Sequence, residues 1–382
     1  MRQDASLHYL DNAATTLVDP TVADAISDAM RRCWANPSAL YDPAIEAHGE
    51  LAAARSKVAR SLGCKPGEVY FTACGTESNN IALRGAAIPR KSWGNKIVVS
   101  GFEHPSVQLP LRALADEGFT VVEIKPERDG TLSIDKMLAA VDKTTVLVAC
   151  MAVNNETGAV QDIARLAAGV KAKNSRTAVH IDAVQAWLRI PLDLKNVDSL
   201  SISGHKVHAP KGIGALYLRS GFRIAPPLLG GGQENGIRPG TENLPYAIGL
   251  GMAAERGART MKARNAAVTA LNRQLREGLA EIDGVTINSP DNAVPEVLNF
   301  SQHRVKSQTL LNYLSTRGVY VSSGSACERG ERSHTLVAMG CDEDTIDTAI
   351  RVSFCADNTS EDVVALLDGL RDGLAELQPI HK

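Results

Sequence analysis

The sequence lacks the features that would place it in a bilayer or on a polyanion. Its longest strictly apolar run, residues 146–153, spans eight positions, far short of the ~20 a membrane-spanning helix needs, so no membrane partner is expected. A net charge of −2, from 41 Lys and Arg against 43 Asp and Glu, leaves no basic surplus to hold nucleic acid. The seven cysteines, at 33, 64, 74, 150, 327, 341 and 355, are odd in number and contain no Cys-x-x-Cys pair. Neither a disulfide framework nor a zinc knuckle fits that set; no metal is expected, and at least one thiol is free. Residues 1–6 hold no basic region leading into an apolar one, so the reading is of a cytoplasmic protein.

What the chain does have is an ordinary globular composition. With 44% hydrophobic and 22% charged residues over 382 positions, it suits one large and one smaller domain rather than a disordered or fibrous chain. Short apolar or β-branched runs at 69–72, 96–100, 121–124, 146–150, 178–182, 200–203 and 214–218 predict strands. Helical spacing between several of them, at 81–87, 109–114 and 163–170, predicts an α/β fold with a mostly parallel central sheet and a ligand site at the carboxyl ends of its strands. The glycine-rich stretch 230–236 reads as a loop and 243–282 as largely helical. Strand-like pieces at 297–300, 318–322 and 349–354, then a helix over 360–377, make a second, smaller α/β unit.

Polar side chains gather where the predicted strands end. The first runs through Cys74-Gly75-Thr76 into a helix, which puts the Gly75 and Thr76 amides at a helix N-terminus suited to phosphate; Thr76 as an ordinary N-cap explains the same residues. His104, just before a proline-started helix, is a place for either a catalytic or a structural histidine. Asp182 closes the strand 178–182, and a carboxylate at a sheet rim calls for a cation such as a pyridinium nitrogen. Gln185, Asn154 and Asn155 bring three amides toward that rim, or serve as turn formers. Lys206, after 200–203, is placed for Schiff-base chemistry with a carbonyl cofactor, and Lys211 is an equal candidate. Cys327, in a small-residue run followed by Glu328 and Arg329, reads as a reactive thiol whose thiolate Arg329 favours and Glu328 disfavours. The other six cysteines read as packing residues or bystanders.

Taken in order, the segments Tyr9-Leu10-Asp11-Asn12-Ala13-Ala14-Thr15-Thr16, Gly75-Thr76-Glu77-Ser78-Asn79, Glu103-His104-Pro105, Asn154-Asn155-Glu156-Thr157-Gly158, His180-Ile181-Asp182-Ala183-Val184-Gln185, Ser203-Gly204-His205-Lys206, Arg238-Pro239-Gly240-Thr241-Glu242-Asn243 and Ser322-Ser323-Gly324-Ser325-Ala326-Cys327 carry a resemblance over nearly the whole chain. It resembles the NifS/IscS-type cysteine desulfurases, class-V aminotransferase relatives that use pyridoxal 5'-phosphate on the aspartate aminotransferase fold (fold type I), and is more similar to their nitrogenase-associated branch. The resemblance implies a large cofactor-binding domain over 15–255 and a small domain of 1–14 with 256–382. It implies that Lys206 holds the cofactor covalently, which decides against Lys211, and that Asp182 pairs with the pyridinium nitrogen. Gln185 and Asn155 would bond near the phenolic oxygen or the substrate, and His104 would stack on the ring and move protons. Gly75, Thr76, Ser203 and His205 would hold the phosphate, with Thr241 reaching over from a second subunit of a homodimer.

Further implications concern the substrate. Arg351 would grip the carboxylate of L-cysteine, and the Cys327 thiolate would take its sulfur as a persulfide, leaving alanine. The loop would swing on Gly324 and Gly330 and deliver sulfur to an acceptor protein, such as an iron–sulfur scaffold or a related thiolation partner. Two departures from the family pattern stand out: a shorter, charged continuation, Glu328-Arg329-Gly330-Glu331-Arg332, and Cys355-Ala356-Asp357 beyond Arg351. The alternatives are a selenocysteine lyase or another pyridoxal-phosphate lyase on the same fold, and a non-catalytic sulfur-carrier subunit.

Overall fold

The computed structural model describes residues 7–324 and 332–379. After a two-residue strand β1 (His8–Tyr9) come two helices outside the predicted ones, α1 (Pro20–Arg32), with Val22, Ile26 and Ala29 buried at helical spacing, and α2 (Asp42–Leu62). Asp19 caps α1 by accepting from Thr21 N, and α2 ends at Gly63 in the left-handed region (φ 70°), the conformation glycine adopts without a Cβ clash.

The alternation then follows the sequence pattern: β2 (Val69–Thr72), α3 (Gly75–Ala87), β3 (Lys96–Ser100), α4 (Pro105–Asp116), β4 (Thr120–Ile124), α5 (Ile134–Ala140), β5 (Thr145–Met151), α6 (Ile163–Lys173), β6 (Ala178–Asp182), β7 (Ser199–Ser203) and β8 (Gly214–Leu218). They form one seven-stranded sheet in the order β2-β8-β7-β6-β5-β3-β4. Only β8 runs against its neighbours; the β3, β4, β5, β6 and β7 pairings are parallel. Every residue of β5, β6, β7 and β8 is buried, as expected of strands covered on both faces. Because β2 and β7 both oppose β8, they point the same way, and the carboxyl ends of β2, β3, β5, β6 and β7 share one rim.

A single helix of 37 residues, α7 (Leu244–Ala280), about 55 Å long at 1.5 Å per residue, joins two buried clusters. Its first turns place Leu244, Ala247, Leu250 and Ala254 in the core beneath the large sheet. Its last turns place Val268, Leu271, Leu275 and Leu279 in a second core. That core lies with an antiparallel sheet of β9 (Thr286–Ile287), β10 (Val297–Ser301) and, later in the chain, β12 (Ala349–Ser353). Around it lie α8 (Ser307–Thr316) and α11 (Ser360–Glu376), with α9 (His334–Ala338) and α10 (Glu343–Asp347) between.

The strand expected over 318–322 is shorter. Only β11 (Val319–Tyr320) is regular, pairing in parallel with β1, while Ser322 makes an isolated bridge to Arg351. The N-terminal segment crosses between the cores, Leu10 in the second and Ala13 in the first. Among the described residues no helix is long and apolar enough to cross a membrane.

Candidate active site

At the shared rim lies a cavity of about 380 Å³, the size of a small-molecule pocket. It brings together Gly75, Thr76, His104, Asn155, Asp182, Gln185, Ser203, His205, Lys206 and Arg351. Thr241 lies apart, exposed beside a separate cavity with Arg238 and Glu242. Cys327 and Gly330 fall outside the described residues. Lys211 is exposed on the surface, so geometry alone separates it from Lys206.

The turn from β2 into α3 forms one wall. The N-cap is Cys74, not Thr76, and the first-turn amides Gly75 and Thr76 border the cavity. Cys74 itself lines the cavity. A Cβ on Gly75 would stand 2.7 Å from Val184 Cγ2, so only glycine lets the helix start this close to the segment after β6. Opposite, the Ser203 hydroxyl is buried with no hydrogen-bond partner. Unsatisfied helix N–H groups, their partial positive charge and an orphaned hydroxyl make a donor set for an anion such as a phosphate. The Gly75→Ala variant is expected to lose about 1–3 kcal/mol of stability through overpacking, readable as a lowered urea midpoint. His205 is pushed down to about 4, by burial first and then by Lys206, Lys211 and His104; it is neutral at physiological pH and its Nδ1 lies 3.3 Å from Thr15 Oγ1.

The second wall centres on Asp182, whose two oxygens each accept one N–H, Oδ1 from Val184 N at 2.9 Å and Oδ2 from Asn79 Nδ2 at 2.8 Å. His104 caps α4: its Nδ1 accepts from Ser106 N at 3.0 Å, so the neutral ring carries its proton on Nε2. Burial lowers the His104 pKa, with Asp182 opposing. Beneath it, Glu103 is fully buried and pushed up to about 8 by that burial; its Oε1 accepts from Ser100 and from Met151 N, while Oε2 has no partner.

Lys206 ends the turn that follows β7, and its Nζ donates to Ala13 O at 2.6 Å and Ala14 O at 2.8 Å. Gln185 donates to Ala13 O at 2.9 Å and accepts from Arg189. Of the two asparagines beyond β5, Asn155 faces the cavity with its Oδ1 buried and unpartnered. Asn154 is a turn former: its Oδ1 accepts from the Glu156 and Thr157 amides at 2.9 Å. Arg351, 1% exposed, donates to Asp11 Oδ1 at 2.7 Å and Asn155 O at 3.1 Å, while its Nε is unpartnered.

Sequence reasoning did not single out Asp11, which pairs with Arg351, or Glu156, Arg332 and His334, which line the cavity. Buried Glu156 accepts from Ser333 and lies 3.6 Å from His334 Nδ1. A Cβ on Gly324, where φ is +98°, would meet Glu156 Oε2 at 2.7 Å. The Asn-Asn-Glu-Thr-Gly block held Glu156 in view, yet its partners come from residues 177 and 178 positions later.

The buried histidines set an acid limit on stability. His180, wholly buried on β6, is pushed down to about 3 by burial. In the unfolded chain it takes up a proton below its ordinary 6.5. The unfolded state therefore binds more protons between about 3 and 6.5, and stability, complete above that window, falls as pH drops through it. The loss from His180 is on the order of a few kcal/mol. Glu103 works in the opposite sense, weakening the fold as pH rises from its ordinary 4.5 to about 8. Urea unfolding from about pH 4 to about pH 7 is expected to show a steep acid limb that His180→Gln flattens.

The pattern of the aminotransferase class-V family matches residues 8–366. A cysteine desulfurase IscS from Methanosarcina thermophila is 38% identical over 365 residues, covering 94% of this chain and 90% of that protein. A solved NifS-like protein superposes with a TM-score of 0.92 at 36% identity, covering 97% of this chain and 99% of the other. A structure titled SspA in complex with cysteine matches at TM-score 0.81 and 32% identity, over 92% and 99% of the two chains. Likeness of this extent, in sequence and in fold alike, makes the chain a member of the aminotransferase class-V family.

Proposed function

We propose that this chain is a cysteine desulfurase that holds pyridoxal 5'-phosphate at Lys206, takes sulfur from L-cysteine onto Cys327 and releases L-alanine. The observation that carries the reading is the convergence, in one cavity, of Lys206, Asp182 and a phosphate-sized donor set at Gly75, Thr76 and Ser203. The residues fit the cofactor: the orphaned Ser203 hydroxyl would donate to its phosphate, Asp182 offers a carboxylate to a ring nitrogen, and the neutral His104 suits an aromatic face. Relatives named cysteine desulfurase and the cysteine complex of SspA support the substrate.

When bound, the cofactor supplies the electron sink that makes the substrate's α-proton removable. Lys206, its amine at the cavity, would be the base that takes that proton. Arg351 offers its unpartnered Nε to the substrate carboxylate, its plane set by Asp11 and the Asn155 carbonyl. His104, with its proton on Nε2, exchanges a proton with the substrate thiol. The Cys327 thiolate then forms an S–S bond to the substrate sulfur. The C–S bond breaks with its electron pair staying on the substrate, which takes one proton at Cβ, regains the α-proton from Lys206 and leaves as alanine, and the persulfide remains on Cys327.

The same reading has Thr241 completing the phosphate site of a second subunit in a homodimer. A cytoplasmic acceptor, an iron–sulfur scaffold or a thiolation partner, then takes the sulfur. It also has a large domain of 15–255 and a small domain of 1–14 with 256–382, which the two buried clusters meeting along α7 support. Incubation with cysteine and a reductant is expected to give alanine and sulfide in equal amounts. Without reductant, mass mapping is expected to place one extra sulfur on Cys327. Pyruvate and ammonia as the products would overturn the reading.

A further inference from the structure

Behind Asp182, away from the cavity, a chain of buried polar groups has no part in the mechanism above. Asn79 on α3 and His180 in the middle of β6 are both fully buried. The Asn79 amide uses all its positions: one N–H goes to Asp182 Oδ2 at 2.8 Å, the other to Ser106 Oγ at 2.8 Å, and Oδ1 lies 3.0 Å from His180 Nε2. His180 Nδ1 lies 2.9 Å from Ser199 Oγ. Only one assignment satisfies every group. A flipped amide would set its oxygen against the Asp182 carboxylate, so Oδ1 accepts the His180 Nε2–H, and Nδ1 accepts from the Ser199 hydroxyl. Burial pushes His180 down to about 3; the ring stays neutral and its single N–H is committed to Asn79. The Ser106 hydroxyl that Asn79 holds lies 2.8 Å from His104 Nδ1.

We propose that Asn79, fixed by His180, is a positioning residue that holds the Asp182 carboxylate and the Ser106–His104 pair in one geometry, so that the two groups flanking the cofactor ring keep a constant relation. The proposal rests on the reading of Asp182 and His104 as the ring's neighbours. Neither Asn79 nor His180 reaches the cavity, and their action on the chemistry runs through the groups they orient.

The test uses the holoenzyme and six variants, with two readouts besides turnover: the position of the cofactor's visible absorption band and its retention on dialysis. Asn79→Leu removes one hydrogen bond to a charged group and is expected to weaken retention about tenfold, moving the band in the same sense as Asp182→Asn. His180→Leu is expected to move both in that sense by a smaller amount. Adding it to Asn79→Leu is expected to bring no further loss, because the lock acts only through Asn79. His180→Gln, which restores an N–H near the Nε2 position, is expected to recover most of the parent behaviour. Should the leucine variants not fold, Asn79→Asp preserves size and the acceptor for His180 while setting an oxygen against Asp182, and is expected to shift both readouts further.

Asn79 variants with the parent band and retention, beside an Asp182→Asn that shifts both, would overturn the positioning role and leave the cofactor reading standing. Additive losses in the double variant, or no recovery with glutamine at 180, would overturn the link through His180. An unshifted Asp182→Asn would instead remove the reading of Asp182 beneath both.

Discussion

Lys206→Ala is expected to give a folded, colourless protein that produces no measurable alanine from cysteine, a loss of about 10⁴-fold or more. The size of the effect follows from two tasks resting on one amine. In the proposed reading Lys206 would anchor the cofactor to the chain and would also serve as the base at the substrate's α-carbon. No neighbouring group substitutes for it: Lys211, the other sequence candidate, is exposed on the surface, and His104 and His205, though at the cavity, lack a primary amine. Folding is expected to survive, since Lys206 Nζ holds two backbone carbonyls, Ala13 O and Ala14 O, in a segment also fixed by Gln185 and by Ser353. Lys211→Ala is the control, with turnover within about twofold of the parent. Absorbance and alanine release check both, and a yellow Lys206→Ala would place the cofactor elsewhere.

The strands of the large sheet were legible because burial writes them as short apolar or β-branched runs. The boundaries expected for 69–72, 96–100, 178–182 and 214–218 coincide with those of β2, β3, β6 and β8. The same physics made the rim legible: strands that run one way deliver their last residues to one place, where Asp182 and Ser203 close their strands and Gly75 and Lys206 follow just after. What was not legible lacks that marker. The inner face of α2 is Ala44, Ala47, Leu51, Ala54 and Val58, and alanine gives too little hydrophobic contrast for its spacing to stand out. Asn79 and His180 lie inside a helix and a strand, where a polar residue carries no sign of its partner 101 positions away. Asn154 and Asn155 are neighbours of one type in one turn, and only the structure separates the turn former from the residue that faces the cavity.

Replacing Cys327 by alanine is expected to leave the cofactor bound and cut alanine formation from cysteine about 1,000-fold or more. The reason is that, in the proposed reading, the sulfur leaves with alanine as co-product only when a thiolate attacks it and takes it without its bonding pair to carbon. Desulfuration needs the thiolate form, and that requirement rules out most of the chain's other cysteines. Cys150 is fully buried and raised well above its ordinary range by that burial. Cys64 is pushed up to about 12, by burial first and then by Glu68, and burial also raises Cys33 and Cys341. Cys74, which lines the cavity beside Gly75, is the rival that matters, and Cys74→Ala is expected to keep turnover within about twofold. Mass mapping after cysteine treatment makes the choice: an extra sulfur on Cys327 that vanishes in Cys327→Ala supports the mechanism, whereas a label on Cys74 moves the nucleophile to the helix N-terminus. Unchanged alanine production without Cys327 would mean that sulfur leaves as S(0) on a small-molecule thiol, or as sulfide only when an added thiol reductant supplies the two electrons, leaving the roles proposed for Lys206, Asp182 and Arg351 intact and removing the need for a protein acceptor.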